Sequence, residues 1–127
     1  MTKVLRSYLR LLAGLTILSG LGQLALPAQL GAASAWGFAP GWQREIAFWD
    51  LAMSIVIART LRTNDPAGGR TVAIALVVLQ LVVATNHAAA AIHSHAVLNT
   101  IMALVNYGCV AFGTVALRHG RHARPAN

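Results

Sequence analysis

The chain has 127 residues, 57% of them hydrophobic and 10% charged, with ten Lys and Arg against three Asp and Glu for a formal net charge of +7. A soluble surface usually carries about a quarter charged residues, so this composition excludes an ordinary soluble domain and reads as a single membrane domain. Basic residues sit between and beyond apolar runs instead of forming a patch, which sets nucleic acid aside, and one cysteine, Cys109, excludes an internal disulfide or a paired-thiol redox centre.

Lys3, Arg6 and Arg10 open the chain, and residues 11–30 are almost entirely apolar, interrupted by Gln23 and Pro27. That run predicts a first spanning helix over residues 8–30, since a span needs about 20 apolar residues. A basic start and Ala33-Ser34-Ala35 also suit a secretory signal, but a signal core is only about 7 to 15 residues long. The anchored reading is preferred because this run is longer and holds Pro27. Residues 31–42 (GAASAWGFAPGW) read as a short loop with interfacial tryptophans.

A second span over 43–61 contains Asp50 and closes with Arg59 and, just beyond it, Arg62. In the following TNDPAGGR, Asn64-Asp65-Pro66 is expected to start a turn and Gly68-Gly69 to let the chain reverse. The third span, 71–92, lies within TVAIALVVLQLVVATNHAAAAIHSH, a long run without formal charge that reads as a membrane span, because only a helix satisfies its own backbone in hydrocarbon. A short link at 93–96 leads to a fourth span, 97–117, and residues 118–127 read as a basic, disordered tail. The expected fold is therefore all-α: one integral membrane domain over 1–127, an antiparallel four-helix bundle.

Four crossings put both termini on one side. Lys3, Arg6, Arg10, Arg59, Arg62, Arg70, Arg118, Arg121 and Arg124 all fall there, and Arg44 alone falls opposite. Basic flanks stay cytoplasmic, so the expectation is an inner-membrane protein with both termini inside, and with Trp36, Trp42, Trp49 and the histidine turn at the outer end.

Polar residues within spans are costly and normally face protein or a water-filled cavity. Thr16, Ser19, Gly20 and Gln23 make one stripe. Asp50 and Ser54 lie a turn apart; Gln80, Ala84, His87 and Ala91 line one face, with Asn86 beside it, and Asn99, Ala103, Asn106 and Gly113 line another. At a rise of about 1.5 Å per residue, Gln23, Asp50 and His87 lie roughly 7 to 11 Å below the outer end of their spans. Gln23, Asp50, Asn86, His87 and Asn99 therefore form a candidate ligand pocket in the outer leaflet.

Asp50 reads either as a proton or cation carrier or ligand-amine anchor, or as a structural partner of His87 or Gln23. His87, His93 and His95, with Asp50 or Glu45, invite a metal reading, but His-x5-His-x-His is no established ligand spacing and solvated histidines are the expectation. Haem would need two histidines facing each other, and only His87 lies within a span. No metal and no resident cofactor are expected. Glu45 suits a local pair with Arg44 or a helix start, Cys109 with Gly113 a small-xxx-small contact, and Pro27 a bend or end of the first span.

The segment YLRLLAGLTILSGLGQLALP, with Arg10, Gly14 and Gly20, then an outer loop, the acid-bearing REIAFWDLAMSIVIA, a basic turn and two more spans, resembles the DoxX-like group of small bacterial four-helix membrane proteins. The resemblance covers most of the chain and implies a bundle of this topology, sometimes associated with quinone-linked or redox-stress systems. It transfers no catalytic residue. Small multidrug-resistance transporters carry a glutamate in the first span, where this chain has Thr16, Ser19 and Gln23. Disulfide-generating quinone enzymes need paired cysteines, and sterol-isomerase-like bundles use acids and aromatics that Glu45, Asp50 and Trp49 echo only in part.

The expected function is that of an accessory or ligand-binding membrane protein, seated in the bilayer, that binds a small amphipathic molecule or else a partner helix, either of another membrane protein or of a second copy. One alternative is a quinone-linked redox subunit using Asp50 and His87 as a proton relay. Another is a proton-coupled transporter of small molecules.

Overall fold

A computed structural model describes residues 1–119, which form five helices: α1 (Lys3–Ala25), α2 (Pro27–Ala33), α3 (Pro40–Thr63), α4 (Pro66–Ser94) and α5 (Val97–His119). Proline stands first in α2, α3 and α4, where its missing N–H is no loss and its fixed φ suits a helix start. The chain enters α1 through Thr2, whose side chain accepts from the Leu5 N–H at 3.3 Å.

Four expected boundaries are corrected. The first span is not one helix over 8–30: α1 covers Lys3–Ala25, Leu26 leaves helical geometry, and Pro27, expected to bend or end the span, begins the separate helix α2. The expected loop over 31–42 is therefore confined to 34–39 between α2 and α3. Gly68 and Gly69 do not make the reversal; they lie in the first turn of α4, because the Asp65 carboxylate accepts from the N–H groups of Ala67 (2.9 Å) and Gly68 (2.8 Å) and fixes the helix start ahead of them. The reversal is only Asn64-Asp65, with Asn64 left-handed at φ 53°. Arg118 and His119 complete α5 instead of opening the tail; the rest of the expected tail, including Arg121 and Arg124, lies outside the described residues.

The long helices alternate in direction. α1 packs mainly on α3, α4 mainly on α5, and the two pairs join along α1 and α5. The contacts are close where side chains are small: a Cβ on Gly20 would sit 3.0 Å from the Ala47 carbonyl oxygen, so α1 and α3 approach backbone to backbone. The main apolar core, Leu5, Tyr8, Leu9, Leu12, Ile57, Ala73, Leu76, Cys109 and Ala116, lies at the end that holds the N-terminus and the Asn64-Asp65 turn. Arg6 donates there to Asn64 Oδ1 at 2.7 Å, and Arg70 to the Leu117 carbonyl at 3.2 Å near the negative end of α5.

Large apolar side chains lie mostly outside. Leu18, Ile55, Val82 and Leu104 are 62–70% exposed, whereas the buried interior is rich in Gly20, Ala47, Ser54, Ala73, Ala84, Ala103 and Gly113. Three helices, α1, α4 and α5, are long and apolar enough to cross a membrane. α3 is as long but carries Arg44, Glu45, Asp50, Arg59 and Arg62.

Candidate functional site

The opposite end, where α1 gives way to α2 and where α4 turns into α5, gathers polar groups. α5 begins there, and Asn99 in its first turn is fully buried. The Ala35 N–H donates to Asn99 Oδ1 at 2.8 Å, which pins the loop after α2 onto α5. That bond also orients the amide. Because a backbone N–H can only donate, its partner is the oxygen, and the nitrogen of Asn99 is turned to His87 Nδ1 at 3.2 Å. Nδ1 is then the acceptor, and the imidazole proton is carried by Nε2.

Trp36 follows Ala35 and lies against the same imidazole, ring centroids 4.8 Å apart at 57°. The short helix makes this possible. A Cβ on Gly31 would come 2.7 Å from Phe38 Cα, and Gly37 turns the chain at φ 71°, so residues 34–38 fold back over α2 toward α4 and α5. Gln43, buried in the first turn of α3, donates from Nε2 to the Pro27 carbonyl at 2.6 Å and ties α2 to α3. Among the described residues, His87 Nε2 makes no hydrogen bond, and the buried Oε1 atoms of Gln23 and Gln43 have none either. This end thus offers one free ring donor under an indole and two unused amide acceptors.

Of the expected site residues, His87 and Asn99 are brought into direct contact. Gln23 is half-buried near the end of α1. Asp50 is half-buried on α3 beside Ser19 of α1, and no hydrogen bond joins it to His87. Asn86 is exposed on the far side of α4, within a surface groove formed with Leu81, Val82, Thr85 and Ala89. Trp36, Ala35 and Gln43 had no place in the expected pocket. The signals for them were slight: a Trp in a Gly- and Ala-rich loop, and a Gln three residues after a helix-starting proline.

The other histidines diverge. His93 Nδ1 lies 2.7 Å from the Ala89 carbonyl of its own helix, and His95 closes α4 in left-handed geometry at φ 55°. Among the described residues, no three His, Cys, Asp or Glu side chains gather as metal ligands. No family model, curated protein or solved structure matches the chain.

Proposed function

We propose that this chain is a small multi-pass membrane protein of accessory character, whose outer end binds the polar head of an amphipathic molecule beneath Trp36. The membrane part of the reading is supported by the distribution of side chains: most large apolar groups lie outside, and outside the Leu- and Tyr-rich core at one end the helices meet through small residues. Lipid is as apolar as leucine, so helices in a bilayer associate through close packing of small residues instead of through burial of large ones. On this reading α3 makes the fourth crossing. Its Arg44 and Glu45 lie at one end and Arg59 and Arg62 at the other, where they can reach the headgroups.

Lys3, Arg6, Arg10, Arg59, Arg62, Arg70 and Arg118 then lie toward the cytoplasm, with both termini, in an inner membrane. The observation that carries the binding role is the state of His87: Nδ1 is engaged by Asn99, Nε2–H is unused, and an indole lies against the ring. That arrangement suits a carbonyl or hydroxyl oxygen attached to a flat or apolar body. A quinone has such an oxygen. The relay from Asp50 has no direct link to His87 on which to run, so the non-catalytic reading is preferred.

The test is purification in mild detergent followed by absorbance, metal analysis and extraction of bound lipids, for the parent chain and for His87→Phe and Asp50→Asn. The reading expects a small amphipathic molecule that is lost with His87→Phe and kept with Asp50→Asn. A bound quinone whose reduction depends on Asp50 would favour the redox subunit. No extractable molecule in any of the three would overturn the binding role.

A further inference from the structure

We propose that the outward face of α4 around Asn86 is where a second copy of this chain docks, in the plane of the membrane. The inference rests on reading α4 as a membrane-spanning helix. On the side away from the core, Leu81, Val82, Thr85, Asn86 and Ala89 line an open groove of about 430 Å³. Its polar groups are not equivalent. Thr85 Oγ1 donates to the Leu81 carbonyl at 2.8 Å and lies 3.4 Å from the Tyr107 hydroxyl, whereas the Asn86 amide makes no hydrogen bond among the described residues.

Asn86 lies eight residues before the end of α4 at Ser94, about 12 Å below it at the helical rise. An amide at that depth meets acyl chains, which can neither donate nor accept. Its stem is a single methylene, too short to lift the amide to the headgroups as a lysine or arginine would be lifted. The groove therefore calls for a partner with hydrogen-bonding groups at the same depth.

A second copy supplies them by symmetry. All copies insert in one orientation, so the twofold axis relating a pair runs along the membrane normal, and residues of equal depth meet across it. Asn86 then faces Asn86 of the other copy. An amide carries both a donor and an acceptor, so the two can pair reciprocally. Ala89, nearly a turn further on, is small enough to let the two α4 backbones approach. A different protein would need its own amide or hydroxyl at a matching depth.

The test measures dimer fraction by resonance energy transfer between labelled full-length chains in lipid vesicles, across protein-to-lipid ratios. Asn86→Ala should weaken association at least tenfold. Asn86→Gln, which keeps an amide, should retain most of it, and Leu18→Ala on an exposed face of α1 should leave it unchanged. Helix content by circular dichroism confirms that each variant is folded. A protein that stays monomeric, or a dimer indifferent to Asn86→Ala, overturns the proposal. Alkaline carbonate extraction separates the two levels: a monomer that resists extraction defeats only the dimer, whereas release by carbonate defeats the membrane reading on which it rests.

Discussion

The Asn99 amide nitrogen lies 3.2 Å from His87 Nδ1 because its oxygen is already held by the Ala35 N–H at 2.8 Å. One buried side chain thus joins α4, α5 and the loop after α2. Asn99→Leu removes both bonds at once, and an unmet buried partner costs about 1–3 kcal/mol. Ala35 is exposed and can turn to water, so the expected loss is about 2 kcal/mol. Thermal unfolding in mild detergent should show it, together with a red shift of Trp36 emission in a variant lacking Trp42 and Trp49. An unchanged Trp36 spectrum would mean that the loop is held by something else.

Gly113 packs closely against the main core. A Cβ there would lie 2.5 Å from Val77 Cγ2 and 2.7 Å from Tyr8 Cζ. Tyr8 is fully buried and packed edge-on against Phe112, so it has little room to yield. Gly113→Ala should therefore destabilise the protein by about 1–3 kcal/mol. Gly14, with nothing within 4 Å of its added carbon, provides the contrast. Gly14→Ala should be neutral or stabilising by up to about 1 kcal/mol, from helix propensity alone. Equal effects at the two sites would contradict the packing.

The Tyr8 hydroxyl is buried and, among the described residues, without a hydrogen-bond partner. Tyr8→Phe removes an unmet polar group and keeps the ring that packs on Phe112 and Gly113. Stability should hold or rise by about 1 kcal/mol. Denaturation in mixed micelles measures this, and a clear loss would reveal a partner such as a bound water.

Asp65 holds the first turn of α4 through two N–H groups. Asp65→Ala should cost about 1 kcal/mol, and it should increase amide hydrogen exchange at Ala67 and Gly68 before it affects the middle of the helix. Uniform protection along α4 in the variant would show that the cap is dispensable.

Much of this arrangement was legible in the residue pattern. The inward faces follow helical spacing: Ala84 and Asn99 are buried, and Gln80, His87 and Ala91 partly so. The depth argument put His87 and Asn99 at the same end, where they meet. Asn86 does not join them, since a helix turns about 100° per residue and that single step carries Asn86 off the pocket face to an exposed position. α2 straddles two expectations, since residues 27–30 read as the end of the first span and the Gly, Pro and Trp of residues 31–42 read as loop. Pro27 at a first helical position and the later Gln43 bond stabilise a helix that local composition does not announce. Gly68 and Gly69 misled for a related reason: the Asp-Pro pair ahead of them is itself a helix start, and it outweighs two glycines. The role of Trp36 depends on a chain reversal at Gly37, and no residue spacing encodes which side chain such a loop will meet.

The account depends most on how often the chain crosses the bilayer. With Cys109→Ala as background, single cysteines at Ala39, Thr63 and His95 sample the loop before α3 and the two interhelical turns. In intact cells, a membrane-impermeant thiol reagent should label Ala39→Cys and His95→Cys, and should reach Thr63→Cys only after permeabilisation. Labelling of Thr63→Cys and His95→Cys from the same side would mean that α4 does not cross, and the account would fail.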